Sequence, residues 1–192
     1  LSDPAVADLF EDTERIEPDG LATALSRTAD PDAAALGIVR LMESVARDRT
    51  GYASVTAALA SPGPTRDRVF AILGASSALT DHLVAHPEHW VAVAEARDVG
   101  PQERTAALVA AVQAAIGTGE SSGEDPDAAQ DPLDALRIAY REQLLSIATL
   151  DLTATQPLDR FEVSSAALAD LAAAALEAAL LIARAEVGAA AD

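Results

Sequence analysis

Apolar and polar residues alternate at helical spacing along most of this chain, and short proline-containing breaks divide the pattern into segments. The clearest segment follows Asp30-Pro31. Its apolar residues recur three or four positions apart, and its charged and hydroxyl side chains lie on the other side of the helix. The apolar side carries Ile38, Leu41, Met42 and Val45, and the polar side carries Arg40, Glu43, Ser44 and Arg47. This periodicity predicts an amphipathic helix.

Asp-Pro pairs mark three predicted helix starts, at Asp3, Asp30 and Asp131. An aspartate side chain accepts a hydrogen bond from the free N–H groups of a first helical turn, and proline is well suited to the position after the cap. Each pair is therefore expected to begin a helix.

Small residues and proline predict a helix junction in the middle of the chain. Gly74 is a candidate helix stop, and Ser76 or Ser77 is a candidate cap of the next helix. That next helix is expected to end by His86, because Pro87 disfavours the helical conformation in the residue before it.

The segment from Leu136 to Leu152 carries the one unusual charge placement. On a helical wheel its apolar stripe falls within about 80° and consists of Leu133, Tyr140, Leu144 and Ile147. Asp151 projects inside this stripe, and Arg137 and Arg141 flank it. A carboxylate there is unfavourable unless it is paired or caps a turn. We interpret the three residues as an internal ion pair or cap, with an interface to a catalytic domain or partner as the alternative.

The last apolar segment, from Leu168 to Arg184, has one narrow polar line. Asp170, Glu177 and Arg184 recur every seven residues, and leucine, isoleucine and alanine fill nearly all other positions. We expect a helix that is buried on most sides.

These segments predict an all-α fold, a bundle of roughly seven to nine helices. Strand-like alternation is nearly absent. The acidic, Gly- and Ser-rich stretch 117–130 cannot bury enough apolar surface to become ordered, so it is predicted to be a disordered loop. The predicted organisation is an N-terminal helical region (1–116), a flexible acidic linker (117–132) and a long helical pair (133–192) that packs back on the first region.

Composition excludes several classes of function. Half of the chain is apolar but 3% is aromatic, the net charge is −18, and all thirteen basic residues are arginine. Such a charge repels nucleic acid and anionic membranes. The absence of cysteine excludes disulfides and thiolate chemistry. The tract from Leu171 to Ala183 is interrupted by a charge and is judged too short to span a bilayer. We expect a soluble, cytoplasmic protein.

Candidate chemistry is sparse. His82 and His86 have the spacing of helical zinc ligands and His89 is near, but Pro87 separates them, which favours capping or packing roles. The Gly74-Ala-Ser-Ser77 turn lacks the downstream Asp-x-Asp pair that would hold Mg²⁺. We therefore predict no catalytic, cofactor-binding or metal-binding residue.

Four collinear blocks resemble a known enzyme family. They are PDAAALGIVRLM from Pro31, GASSALTDHLVAHPEHW from Gly74, LRIAYREQLLSIATLDL from Leu136 and LADLA from Leu168. In this order they resemble the leading helical region of the bifunctional glutamine synthetase adenylyltransferase/adenylyl-removing enzymes of actinobacteria.

The resemblance implies a function that the residues alone do not. In that family an N-terminal nucleotidyltransferase core removes AMP from glutamine synthetase by phosphorolysis, and a C-terminal core attaches AMP from ATP. Mg²⁺ and ATP are the implied cofactors of the parent enzyme, and glutamine synthetase and the PII signal protein are its implied partners. This chain would be a non-catalytic helical fragment that supports the N-terminal core, which would be its partner in cis. The alternative is a stand-alone helical adaptor or regulatory interaction module.

Overall fold

The computed structural model describes residues 18–46, 49–121 and 131–189. Within these ranges the chain forms nine α-helices and no strand, which confirms the predicted all-α fold and the predicted helix number. The helices are α1 (Pro18–Ser26), α2 (Pro31–Val45), α3 (Arg49–Ala60), α4 (Pro64–Ala75), α5 (Ser77–Ala85), α6 (Trp90–Ala94), α7 (Pro101–Ser121), α8 (Pro132–Leu152) and α9 (Pro157–Ala189). A short 3-10 turn, Pro87–His89, precedes α6.

Local capping chemistry accounts for the helix starts. The Asp30 carboxylate accepts a hydrogen bond from the Ala33 N–H at 2.9 Å, and Asp131 accepts one from the Leu133 N–H at 2.9 Å. Ser76 Oγ accepts one from the Leu79 N–H at 3.3 Å. These three predicted caps are confirmed, because each satisfies a first-turn N–H that lacks a partner within its helix. The predicted start at Asp3 lies outside the described residues.

Gly74 is not the helix stop that we predicted. It lies inside α4, which continues to Ala75. A Cβ atom at this position would lie 2.7 Å from Cβ of Thr28 and 3.0 Å from the carbonyl oxygen of Asp30. The missing side chain therefore lets α4 approach the segment between α1 and α2, and this close contact is the physical reason for glycine.

The chain divides into two compact units, residues 1–96 with 148–157 and residues 97–147 with 158–192. In the first unit, α2 lies at the centre and packs against α3, α4 and α5. Its core is built from aliphatic residues of α2 and α4 together with one phenylalanine, and it includes Ile38, Leu41, Met42, Val69, Phe70, Ile72 and Leu73.

Polar contacts add to this core. Arg40 of α2 forms a salt bridge with Asp81 of α5 at 2.8 Å, and the Ser44 hydroxyl donates a hydrogen bond to the Val84 carbonyl at 2.6 Å. Arg68 of α4 donates to the Ala94 carbonyl at 2.8 Å. These bonds fix α5 and α6 against the central helices.

The second unit has its own core between α7, α8 and α9. Its buried members are small and aliphatic residues, namely Leu108, Val112, Leu136, Ile147, Ala167, Leu171, Ala174 and Ala178. Three of the four α9 members are alanines, which let helix backbones approach closely. Dispersion and burial of apolar surface therefore hold this unit together.

The predicted domain boundaries stay a prediction. Residues 117–121 of the predicted linker continue α7, and residues 122–130 lie outside the described part of the chain.

The prediction that the last helix is buried on most sides is wrong for this chain. One stripe of α9 is buried, and much of its apolar surface is exposed, with Leu176 73% accessible to solvent. Six of the seven large exposed apolar residues of α9 fall within about 120° at 100° per residue, and Val163 lies outside this range. The six are Leu158, Phe161, Leu168, Leu176, Leu180 and Val187. We call these six residues the outer face of α9.

The segment Pro157–Gly188 of α9 is long and apolar enough to cross a membrane by length and composition. The tract Leu171–Ala183, which we expected to be too short to span a bilayer, is part of this longer apolar segment. This is weak evidence for a membrane helix, because a core helix of a soluble protein passes the same test. One stripe of α9 does belong to the core of the second unit.

Candidate functional site

The three residues predicted as an ion-pair cluster do not come together. Arg137 forms a salt bridge with Asp134, one turn earlier, at 2.7 Å, and both side chains are exposed. Asp151 is exposed as well, so its predicted inward position is wrong. It follows Arg141 by ten residues on the same helix, about 15 Å along the axis, too far for an ion pair. A role of these residues at an interface stays a prediction.

A buried arginine that the sequence pattern does not single out forms the centre of the second unit's charged cluster. Arg104 lies in the first turns of α7, is 2% exposed and donates a hydrogen bond of 3.4 Å to Gln143 of α8. Burial lowers the pKa of the Arg104 guanidinium, and the carboxylates of Asp170, Asp98 and Glu103 oppose this shift. The charge is thus buried among acidic groups of its own unit, as buried charges require.

Asp98 joins the start of α9 to the segment before α7. Its two carboxylate oxygens accept hydrogen bonds from Nη1 and Nη2 of Arg160 at 2.8 and 2.5 Å. This bidentate pairing holds the pKa of Asp98 below its usual range, since the hydrogen bonds favour the charged form.

A more exposed pair lies beside it. Arg97 donates hydrogen bonds to the Glu103 carboxylate, which raises the pKa of Arg97 and lowers the pKa of Glu103. Arg97 also contributes its carbonyl oxygen, which accepts a hydrogen bond of 3.4 Å from the Ser146 hydroxyl of α8.

The cluster contains equal numbers of positive and negative groups: Arg97, Arg104 and Arg160 with Asp98, Glu103 and Asp170. Charged pairs of this kind orient helices, but the cluster has no nucleophile. The signal in the sequence was the run of charges around Gly100-Pro101, which resembles an ordinary solvated helix start.

The three histidines form a compact group in the first unit. Their ring centroids lie 4.9 to 5.6 Å apart, and Nε2 of His82 lies 3.0 Å from Nδ1 of His89. One of these nitrogens donates and the other accepts, so the contact requires a neutral ring at the accepting position. His82 is buried and His86 caps the end of α5. In the described ranges, no group of His, Asp or Glu is arranged to hold a metal ion.

The Gly74–Ser77 turn does not form a phosphate-binding loop in the structure. Gly74 is helical, and the Ser76 hydroxyl is used as the cap of α5. Among the described residues, the charged and polar groupings are therefore ion pairs, caps and packing contacts.

Comparison with known proteins identifies relatives of the chain, which the geometry alone does not. The chain is 41% identical over 190 residues, 96% of its length, to the bifunctional glutamine synthetase adenylyltransferase/adenylyl-removing enzyme of Streptomyces avermitilis. It is 41% identical over 85% of its length to the Mycobacterium avium enzyme of the same name and 37% identical over 94% to the Mycobacterium tuberculosis enzyme. No protein-family model matches the chain. No solved structure matches it.

The chain spans only 15 to 17% of the length of these relatives. The resemblance predicted from the four sequence blocks is confirmed by the identity along nearly the whole chain. By descent, the chain is therefore a homologue of one stretch of the actinobacterial bifunctional glutamine synthetase adenylyltransferase/adenylyl-removing enzymes.

Proposed function

We propose that this chain is a non-catalytic helical part of such an enzyme and supports its N-terminal, adenylyl-removing nucleotidyltransferase core. The parent enzyme would adenylylate and deadenylylate glutamine synthetase in the cytoplasm, under the control of a PII protein. In this proposal the chain contributes a surface rather than reacting groups.

The observation that carries this proposal is the outer face of α9. Its six apolar residues extend over about 44 Å at 1.5 Å per residue, on the side of α9 away from the second unit's core. Exposed apolar surface of this extent is typical of an interaction site. The rest of the parent enzyme is the expected partner of this face, because more than four-fifths of the length of the Streptomyces avermitilis relative lies outside the matched stretch.

The carboxylates of the second unit support a non-catalytic role for the chain. Mg²⁺ prefers several oxygen ligands at one point. In the second unit, however, Asp98 is bonded to Arg160, Glu103 to Arg97 and Asp134 to Arg137. These residues do not fit a Mg²⁺-nucleotide site, so we place Mg²⁺ and ATP in the rest of the parent enzyme.

An assay of phosphate-dependent adenylyl removal, which releases ADP, tests the non-catalytic part of the proposal. The chain is incubated with adenylylated glutamine synthetase, Mg²⁺ and phosphate, and released nucleotide is measured. We expect none from the chain alone and release from the full-length Streptomyces avermitilis enzyme as the positive control. Nucleotide release by the chain alone would show that it contains a complete active site.

A chimera tests the supporting role. The matched stretch of the Streptomyces avermitilis enzyme is replaced by this chain, and adenylyl removal is compared with that of an enzyme lacking the stretch. We expect the chimera to retain activity and the deletion to lose it. Full activity of the deletion would favour the alternative, a separate adaptor or regulatory module.

A further inference from the structure

One border of the outer face of α9 is acidic. At 100° per residue, Asp159, Glu162 and Glu177 lie within about 60° of one another, starting at the edge of the outer face. All three side chains are exposed, and we call them the acidic border. The opposite edge of the outer face carries one charged residue, Glu186, near the end of the helix. The charge around this apolar face is therefore one-sided and negative.

The acidic border has no basic partner in the described part of the chain. None of the ion pairs or side-chain hydrogen bonds there includes its three carboxylates. Arg160 is already bonded to another carboxylate, and Arg184 lies about 10 Å farther along the axis than Glu177. Asp159 and Glu162 are three residues apart, a spacing at which like charges destabilise a helix. A basic group supplied by a partner would remove this repulsion.

The distribution of large and small side chains on the outer face suits a second helix. Exposed small residues, Ser165, Ala172 and Ala183, follow its midline. The larger Leu168 and Leu180 lie on either side of that line. Rows of large side chains with small ones between them form a groove that accepts a ridge of side chains from another helix.

We infer that the outer face binds an amphipathic helix of the rest of the parent enzyme, whose apolar stripe covers the six residues and whose edge carries arginine or lysine against the acidic border. This inference rests on the contact proposed above and names the chemistry of its partner. Complementary charges at the border would set the register of the two helices.

The same charges disfavour two other occupants of the outer face. An anionic membrane would be repelled by the acidic border and by the net charge of −18. A second copy of this chain would bring the same three carboxylates and, on α9, a single exposed arginine, Arg184. It therefore lacks the row of basic residues that the border requires.

Photo-cross-linking within the Streptomyces avermitilis chimera tests this inference. The photoreactive amino acid p-benzoylphenylalanine is incorporated in place of Leu180, beside the acidic border, and mass spectrometry identifies the segment to which it attaches. We expect attachment within the same molecule, to a segment with apolar residues at helical spacing and arginine or lysine along one edge. The same amino acid in place of Leu36, an exposed leucine of the first unit, is the control and should not attach to that segment.

The other outcomes of this experiment overturn the inference in distinguishable ways. Attachment within the molecule to a segment without basic residues would overturn it and leave the proposed contact with the rest of the enzyme intact. Attachment to a second copy, attachment to lipid when phosphatidylglycerol vesicles are present, or no attachment would contradict both the inference and the proposed contact.

Charge reversal then isolates the acidic border. Glu177→Arg should lower the yield of the cross-link about two- to fivefold, as expected for loss of one exposed ion pair. Replacing the identified basic residue by glutamate in the same chimera should restore the yield. Glu43→Arg, at an exposed position of α2, is the matched control and should leave the yield unchanged. An unchanged yield for Glu177→Arg, or no recovery in the double variant, would overturn the inference.

Discussion

Two buried arginines, one in each compact unit, occupy nearly the same local position and have different partners. Arg66 follows Gly63-Pro64 and Arg104 follows Gly100-Pro101, so both lie in the first turns of a helix that begins with proline. Arg104 is surrounded by carboxylates and donates to Gln143. Arg66 forms only a long ion pair of 3.9 Å with its chain neighbour Asp67, and the Nε atoms of both arginines lack a hydrogen-bond partner. The same sequence signal thus produces an arginine bonded to another helix in one unit and an arginine paired only within its own helix in the other.

The largest expected effect separates the two arginines directly. Arg104→Met should lower the free energy of unfolding by about 2 to 4 kcal/mol, because it leaves Gln143 and the facing carboxylates without their buried partner. Arg66→Met should change it by less than about 1 kcal/mol, since it removes only a long ion pair with the exposed Asp67 and keeps an apolar chain of similar length. Urea unfolding of both variants measures this difference. Equal losses would contradict the contrast between the two sites.

Two glycines of the first unit provide the next comparison. Gly74→Ala should lower the free energy of unfolding by about 1 to 3 kcal/mol, because the added Cβ would clash with Thr28 and with the Asp30 carbonyl. Gly63→Ala, where the added atom meets open space, should be close to neutral. The melting temperatures of the two variants test this, and an unchanged value for Gly74→Ala would show that the close approach is easily relaxed.

The acid dependence of the second unit should report on Asp98. Because the pKa of Asp98 is lowered in the folded state, its pairing with Arg160 stabilises the protein above the ordinary aspartate pKa. This stability is lost as the pH falls through the lowered value. Asp98→Asn should remove this contribution, less than about 1 kcal/mol after solvent screening. Urea midpoints between pH 6 and pH 3 measure it, and parallel curves for the two proteins would contradict the assignment.

The smallest effect concerns the predicted ion-pair cluster. Arg137→Gln removes an exposed pair with Asp134 and should lower the free energy of unfolding by about 0.3 kcal/mol. The effect of Asp151→Ala, at an exposed position, on the free energy of unfolding should be similarly small. A loss above about 1 kcal/mol for Asp151→Ala would restore the structural role that its wheel position first suggested.

Helix caps can be predicted from the sequence because they depend on neighbouring residues, whereas packing between distant residues cannot. Asp30, Asp131 and Ser76 cap helices because their side chains bond N–H groups two or three residues away, within the same stretch of sequence. Gly74 does not end a helix, and the reason for glycine there lies in its contact with Thr28, 46 positions earlier.

The candidate site shows the same limit. The burial of Arg104 depends on Gln143 and Asp170, which lie on other helices, so its charge resembled an ordinary exposed one. For α9, composition indicated which residues can be buried but not how many neighbours this chain provides. The residues of the outer face are apolar enough to be buried, yet they remain exposed.

The central claim is that the outer face of α9 contacts the rest of the parent enzyme. The most direct measurement is adenylyl removal by the Streptomyces avermitilis chimera carrying Leu176→Glu, compared with Ala166→Glu, an exposed alanine outside that face. We predict that Leu176→Glu strongly reduces activity and that Ala166→Glu does not. As isolated chains, both variants should keep the melting temperature of the unsubstituted chain. Full activity of the Leu176→Glu chimera would contradict the claim.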